Sequence, residues 1–159
     1  MILDILAPSL VLFGFYLLYR NISKAQKKAK ILPTDYQGEK ILVTSLANVG
    51  NGHCSYCMAW QVEQGVLFGT ESDIIFQPVS GEEEVIVLAD IQSVKVRNFF
   101  FFAKIICIKT LDAEYTVCGF SDPTKPYSMK GYRTALNAWL KFLGEHTINL
   151  TEQISQTPK

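Results

Sequence analysis

The residues of this sequence whose types and spacing suit chemistry best are its cysteines. His53-Cys54-Ser-Tyr-Cys57 is a C-x-x-C pair beside an imidazole, a pattern found in zinc sites and in thiol-redox proteins. A closed zinc site needs two further ligands, and a hairpin turning at Asp112-Ala113 would place Cys107 opposite Cys118. We expect reduced cysteines that pack as small apolar residues. A zinc site or a redox pair at Cys54 and Cys57 is the alternative.

Four consecutive phenylalanines are the second unusual feature, within Lys95-Val-Arg97-Asn-Phe-Phe-Phe-Phe-Ala-Lys104. Side chains alternate between the two faces of a strand, so four adjacent phenylalanines cannot all face one core. If the chain reverses at Asn98, they lie at a hairpin tip where apolar side chains could enter lipid while cations meet headgroups. The predicted membrane or partner contact consists of Arg97, Phe99, Phe100, Phe101, Phe102 and Lys104. A strand between two apolar layers and a protein-partner face are the alternatives.

Signals of other function classes are weak. The sequence has no G-x-S-x-G, no phosphate-binding glycine loop and no H-E-x-x-H, and its two histidines lie far apart. Fifteen Lys and Arg balance fifteen Asp and Glu, which argues against a polycation that coats nucleic acid. We therefore expect no enzymatic activity, no cofactor, no catalytic residues and no nucleic-acid partner.

The elements that must position these residues begin with an apolar segment. Residues 1–20 carry only one charge before Arg20, at Asp4, and a helix over residues 2–19 would be about 27 Å long, close to the thickness of a bilayer core. Basic residues follow the segment rather than precede it, unlike in a signal peptide. We predict a transmembrane helix over residues 1–20; a cleaved signal peptide and a buried core helix are the alternatives.

The charges are distributed unevenly along the chain. Residues 20–30 hold five cations and no acid, whereas residues 41–159 hold nine Lys and Arg against twelve Asp and Glu. The juxtamembrane cations are Arg20, Lys24, Lys27, Lys28 and Lys30. Because positive flanks stay in the cytoplasm, we expect a single-pass membrane protein with its N-terminus outside and its C-terminal domain cytoplasmic. The cluster is then a topology signal, or alternatively a lipid site.

The rest of the chain predicts one domain. Residues 21–38 are expected to form a basic juxtamembrane helix, stopped at Ile31-Leu32-Pro33, and an extended linker. Residues 39–146 contain about seven strand segments, including a hairpin that turns at Glu71-Ser-Asp73, and a glycine- and asparagine-rich turn at residues 48–52. An amphipathic helix begins at Ser128, carries an apolar stripe that starts at Met129 and includes Trp139, and stops near Gly144. The pattern indicates an α+β domain, an antiparallel sandwich or partly open barrel closed by the helix. Residues 147–159 are expected to be a flexible tail.

The order of these elements resembles the pleckstrin-homology-like superfamily, in particular its GRAM and bacterial PH branch. The likeness rests on Gly65-Val-Leu-Phe-Gly-Thr70 running into Ile74-Ile-Phe76, on Val87-Leu-Ala-Asp90-Ile-Gln-Ser-Val94, on Ile105 to Thr110, on Glu114-Tyr-Thr-Val117 and on a helix containing Trp139. It implies a PH-like fold and a non-catalytic adaptor at a membrane. Phosphoinositide-binding members usually carry Lys and Arg in the first strand–strand loop, and residues 48–55 have neither.

Together these patterns predict a membrane-anchored PH/GRAM-like module that binds a lipid surface or a protein partner. Its expected partners are membrane lipids or, alternatively, a membrane protein. A structural accessory subunit of a membrane complex is the first alternative, and the thiol-redox or zinc protein is the second. The sequence does not indicate an oligomeric state.

Overall fold

The computed structural model describes residues 2–52, 62–99, 103–126 and 128–147, with the backbone alone at residues 2–11, 15, 18, 62 and 99. The described elements, in chain order, are α1 Ile2–Lys30, β1 Asp35–Tyr36, β2 Glu39–Lys40, β3 Val43–Asn51, β4 Val62–Gly69, β5 Asp73–Pro78, β6 Glu84–Val87, β7 Ser93–Phe99, β8 Ala103–Lys109, β9 Glu114–Ser121 and α2 Met129–His146. A short 3₁₀ turn, Leu88–Asp90, lies between β6 and β7. The predicted tail, residues 147–159, lies outside the described residues beyond Thr147.

Strands β3 to β9 form one antiparallel sheet that curls into a half-barrel, in the spatial order β6-β5-β4-β3-β9-β8-β7. Each strand forms a hairpin with the next one, except that β6 and β7 do not pair and lie at the two edges of the sheet. The first and last strands, β3 and β9, pair with each other in the middle. The prediction of an α+β domain with about seven antiparallel strands and a C-terminal helix is confirmed.

The inner face of the sheet packs against α2. Ser128 caps this helix by accepting a hydrogen bond from the backbone N–H of Gly131, at 2.9 Å, so the predicted start is confirmed. Trp139 is 1% exposed, and its indole Nε1 donates to Ser45 Oγ at 2.7 Å. Two details of the predicted helix are wrong. The helix runs past Gly144 to His146, and Met129 is exposed rather than part of the buried stripe.

The outer face of the sheet packs against the second half of α1. Ala25 is fully buried in a cluster with four side chains of the sheet, namely Leu46, Val66, Phe68 and Ile75. At the end of the helix, Lys28 Nζ donates to the carbonyl of Pro78 at 2.5 Å. The helix ends at Lys30, as the sequence predicts. Because small side chains such as Ala25 allow close approach, the helix lies directly on the sheet.

The segment that follows α1 differs from the predicted extended linker. Strands β1 and β2 form a tight hairpin, with positive φ at Gln37 and Gly38, the combination that suits a two-residue hairpin turn. Tyr36 makes an edge-to-face contact with Phe68, with ring centroids 5.2 Å apart. The aromatic contact holds the hairpin against the domain, so residues 33–40 are part of the fold.

Two further sequence predictions are wrong at the level of register. The predicted turn at residues 48–52 is instead mostly strand, because β3 continues to Asn51 and places Val49 in the inner core. Cys107 faces Thr116 in the β8–β9 pair, not Cys118.

Among the described residues, no helix is long and apolar enough to cross a membrane.

Candidate functional site

The phenylalanine run lies at a reversal of the chain. Asn98 pairs with Lys104 and Phe99 with Ala103, so β7 and β8 are two arms of a hairpin whose connection is residues 100–102. Phe100, Phe101 and Phe102 lie outside the described residues, as does the side chain of Phe99. Arg97 and Lys104 are exposed on the two arms. We call the end of the sheet where β7 ends, β8 begins and β9 ends the hairpin end.

The start of α2 is attached to the hairpin end. The backbone N–H of Lys104 donates to the hydroxyl oxygen of Tyr132 at 2.6 Å. The carbonyl of Lys125 accepts from Ser128 Oγ at 3.2 Å, which ties the loop after β9 to the helix cap. These bonds fix the first turn of α2 beside the base of the phenylalanine hairpin.

A cavity of about 360 Å³ lies between these elements. Its walls come from α1, the outer face of β3 and β4, the start of β8, the end of β9 and the first turn of α2. The lining residues are Ile22, Leu46, Gln64, Ala103, Gly119, Phe120, Ser121, Pro126, Ser128, Met129 and Tyr132. The lining is mainly apolar, with a few hydroxyl and amide groups. That composition is typical of a site for a small apolar or amphiphilic molecule.

A β-bulge shapes the wall of the cavity formed by β9. The pairing of β3 with β9 shifts register between Leu46 and Asn48, and Gly119 in the bulge has φ of +64°. A Cβ at position 119 would come within 2.5 Å of Asn48 Nδ2. The left-handed backbone angle therefore favours glycine here, and any larger side chain would also have to displace the Asn48 amide. The bulge turns Phe120 into the inner core while Ser121 lines the cavity.

Three exposed cations lie on the α2 side of the cavity. Lys125 and Lys130 are exposed and adjoin the lining residues Pro126 and Met129, and Arg133 is exposed one helical turn after Met129. The first turn of α2 has no acidic residue. Asp122 is the nearest acid in the loop after β9, and hydrogen bonds from Thr124 lower the pKa of its carboxyl group. The opening is therefore positively charged on the side of α2.

Helix α1 leaves the domain at this same place. It crosses the outer face from Pro78 to the loop after β9, where Gln26 Nε2 donates to the carbonyl of Pro123 at 3.1 Å, and Ile22 then lines the cavity. Its first half carries large exposed apolar side chains, namely Leu12, Phe13, Tyr16 and Tyr19. Among the predicted juxtamembrane cations, Lys28 contacts the sheet, and the others are exposed: Arg20, Lys24, Lys27 and Lys30.

The cysteine predictions have a mixed outcome. Cys54 and Cys57 lie outside the described residues, and the described part of the chain contains no group of three or more side chains that could hold a metal ion. Cys107 is 3% exposed and disulfide-bonded, so the expectation of a reduced thiol is wrong at this position. Cys118 packs beside Cys107 and Ile105 on the outer face, as a small apolar residue does.

Sequence reasoning missed the cavity and its opening. The signal available was the pair Lys130 and Arg133 in the first turns of a helix that begins at Ser128. Cations in the first turn of a helix oppose the helix dipole and lower the stability of the helix by about 0.3–1 kcal/mol each. Their presence at the start of α2 therefore indicates a role other than stabilising the helix. The cavity itself could not be predicted, because it depends on where α1 crosses the sheet.

Comparison with known proteins leaves the function open. No protein-family model matches this chain, and no curated protein matches it. Among solved structures, it is similar to the crystal structure of the C-terminal domain of an unknown protein from Leishmania infantum, at 22% sequence identity. The match covers 65% of this chain and 86% of that chain, with a TM-score of 0.41.

Proposed function

We propose that this protein is a membrane-anchored, non-catalytic binding module of the PH/GRAM-like kind, which contacts the bilayer with its hairpin end. Residues 2–19 of α1 are the proposed single-pass anchor, and the domain lies on the cytoplasmic side. The observation that carries the proposal is the course of α1, a continuous helix from Ile2 to Lys30. Its second half packs on the sheet, and its first half projects from the hairpin end with exposed apolar side chains.

The continuity of α1 supports a fixed orientation of the domain. A helix that is both anchor and packed element has no flexible joint between the two, so the hairpin end would face the bilayer whenever residues 2–19 are inserted. The phenylalanine hairpin and the cations Arg97 and Lys104 are then at the lipid surface. Each Phe withdrawn from water contributes roughly 1.5–3 kcal/mol, and the anchor already holds the hairpin at high local concentration. A weak individual contact would therefore suffice.

The strand order supports the PH/GRAM-like part of the proposal. Without the small β1–β2 hairpin, the sheet of seven strands is a meander that curls so that its first and last strands are neighbours, followed by one C-terminal helix. This is the order that the sequence resemblance implies. Folds of this kind serve many functions, so the binding role is argued from the hairpin end and not from the topology.

A structural accessory subunit of a membrane complex is the second candidate. The exposed apolar side chains of α1, including Leu12, Phe13 and Tyr16, favour it equally, because another membrane helix could cover them. Copurification in mild detergent separates the two functions. A stoichiometric partner that copurifies with the wild type but not with Phe13→Ala would favour the accessory subunit. A chain that purifies without a protein partner and with bound lipid would favour the binding module.

The anchor is tested on the full chain expressed in cells and extracted with alkaline carbonate. We expect the wild type to stay in the membrane fraction and Phe13→Lys to move to the soluble fraction, because a lysine at the centre of a membrane helix costs about 2.5–3.5 kcal/mol. Phe13→Leu is the matched control and should stay with the membrane. Wild-type protein in the soluble fraction would refute the anchor.

The side of the membrane is tested by glycosylation in microsomes. Asn149-Leu-Thr151 is an acceptor sequence, which is modified only in the lumen. We expect no glycan on the wild type. A glycan at Asn149 that disappears in Asn149→Gln would place the domain in the lumen instead, the compartment in which a disulfide at Cys107 is ordinary.

A further inference from the structure

We infer that the cavity at the hairpin end holds one acyl chain of an anionic membrane lipid, with the lipid headgroup at the cations of the first turns of α2. This inference rests on the proposed function and names the ligand of the same end of the molecule. Three features of the cavity support this ligand, namely its lining, its position relative to α1 and the charges at its opening.

The size and lining of the cavity suit a single hydrocarbon chain. Its volume of about 360 Å³ lies near the lower limit of ligand sites, which is about 300 Å³. Ile22, Leu46 and Ala103 contribute apolar side chains to its lining. Met129, 51% exposed, lies at the opening, and methionine adapts its shape to flexible apolar ligands. A polar ligand would leave its hydrogen-bonding groups largely unpaired against these walls.

The position of the cavity gives a lipid chain a route into it. Ile22 lies in the cavity wall only three residues after Tyr19, so the proposed membrane segment ends about 4.5 Å along the helix from the cavity. Ala103, which also lines the cavity, is the residue next to the connection of the phenylalanine hairpin. A lipid of the adjacent leaflet could therefore insert one chain between α1 and the hairpin while its headgroup stays at the membrane surface.

The charges at the opening select an anionic headgroup. Lys130 and Arg133 stand near the N-terminus of α2, where they oppose the helix dipole, and Lys125 is in the preceding loop. An anion at this place would be attracted by Lys130, Arg133 and the helix N-terminus together, whereas Lys125 contributes less because it already interacts with the Asp122 carboxylate. The first strand–strand loop, where PH-like domains usually bind phosphates, has no Lys or Arg in residues 48–55.

The experiment uses the full chain in phosphatidylcholine vesicles that contain a small fraction of photoactivatable lipid, with a diazirine near the end of one acyl chain. Phosphatidylglycerol and phosphatidylcholine probes are compared. We expect the phosphatidylglycerol probe to label residues that line the cavity, around Ala103 and Met129 to Tyr132. Met129→Gln should reduce this labelling about tenfold or more, because an amide at the opening would lose its hydrogen bonds to water when an apolar chain covers it, and no charge is changed. Thr134→Gln, at an exposed position on the same helix, is the control and should label as the wild type does.

A second pair of variants tests the headgroup. Lys130→Glu should lower the labelling by the phosphatidylglycerol probe about fivefold or more, whereas Lys141→Glu, the same change near the other end of α2, should not. Ala103→Phe fills the cavity from β8, with Ala138→Phe on the exposed face of α2 as its control. Thermal unfolding of every variant shows whether it is folded, and the variants at exposed positions 129, 130 and 134 keep the test valid if Ala103→Phe does not fold.

Failure of the acyl-chain site can be distinguished from failure of the proposed anchor, because carbonate extraction is measured on the same samples. Membrane-bound wild type whose cavity is not labelled, or is labelled equally in Met129→Gln, would overturn the acyl-chain site and leave the anchor intact. Equal labelling by both probes would overturn the anionic headgroup. Wild type that is released from the membrane by carbonate would overturn both inferences.

Discussion

At the scale of single residues, the core is centred on Trp139. Its ring packs between Phe120 and Phe142, with the Trp139–Phe142 centroids 5.4 Å apart at an interplanar angle of 80°. Its indole nitrogen is satisfied by Ser45, which is itself fully buried. Because buried Trp N–H groups need a partner, this one hydrogen bond explains why a serine occupies an inward position of β3 among Val43, Ala47 and Val49.

Ser45→Ala should therefore destabilise the protein by about 1–3 kcal/mol, since it leaves the Trp139 N–H buried without an acceptor. Chemical denaturation of the full chain measures the change. Ser80→Ala, at an exposed turn position, is the control and should stay within about 0.5 kcal/mol of the wild type. A Ser45→Ala variant as stable as the control would show that the hydrogen bond contributes nothing net.

Glu84 on β6 makes stability depend on pH. Partial burial raises the pKa of its carboxyl group above the ordinary 4.5, and the negative charge of Glu63 raises it further. Because the pKa of Glu84 is higher in the folded than in the unfolded protein, the protonated carboxyl group favours the folded state. This contribution to the free energy of unfolding is fully present below the unfolded-state pKa and is lost as the pH rises through the folded-state pKa. We therefore expect Glu84→Gln to be more stable than the wild type at pH 7 and not at pH 3.5. The measurement is chemical denaturation at the two pH values, and an equal difference at both would contradict the assignment.

Residue-level signals predicted some of these features and missed others. Ser128 was identifiable as a helix start, because it stands just before an apolar stripe of helical period. The Cys107–Cys118 pairing was wrong because the β8–β9 turn closes one residue earlier than Asp112-Ala113 suggests. Thr110 Oγ1 accepts from the backbone N–H of Ala113, and this side-chain bond sets the register. A one-residue change in a turn displaces every cross-strand pair beyond it.

At the scale of elements, α1 has two halves with different surroundings. Residues 22–29 belong to the domain, where Ala25 and its neighbours cover Leu46, Val66 and Phe68 on the outer face. A shortened chain that begins at residue 36 would expose that face to water. For this reason the experiments above use the full chain.

Ala25→Asp should destabilise the domain by about 3 kcal/mol or more, because it places an unpaired charge against the apolar outer face. Lys24→Asp changes the adjacent exposed residue to the same side chain and should have little effect. Thermal unfolding in detergent compares the two variants. Equal transition temperatures would mean that α1 does not pack on the sheet in solution.

Element order could be predicted from the sequence far better than element placement. The hairpin of β4 and β5 followed from apolar runs on both sides of Glu71-Ser-Asp73, and α2 from its stripe. The continuation of β3 through Asn48 and Gly50 could not be predicted, because these residue types favour turns. Pairing with both β4 and β9 holds them in a strand. The packing of α1 on the sheet is likewise a tertiary property.

At the scale of the whole molecule, charge and apolar surface are arranged along one direction. The exposed apolar half of α1, the cations Arg20 and Lys24 and the cavity lie toward the hairpin end. The opposite end of the sheet carries the turn from Thr110 to Ala113 and the turn before β6, where Glu83 bonds to Gln77 and Tyr36. The zero net charge of the chain thus conceals a group of cations beside an apolar helix, an arrangement that would orient the molecule at an anionic membrane.

The most direct measurement of the central claim is a lipid-contact footprint of the full chain in anionic vesicles. A photo-crosslinking amino acid is placed singly at exposed positions 104 and 130, at the hairpin end, and at 111 and 112, in the turn at the other end, about 20 Å away along β8. Our account predicts lipid adducts at 104 and 130 and none at 111 or 112. Adducts at 111 and 112 but not at 104 and 130 would contradict it, as would adducts at none of the four positions.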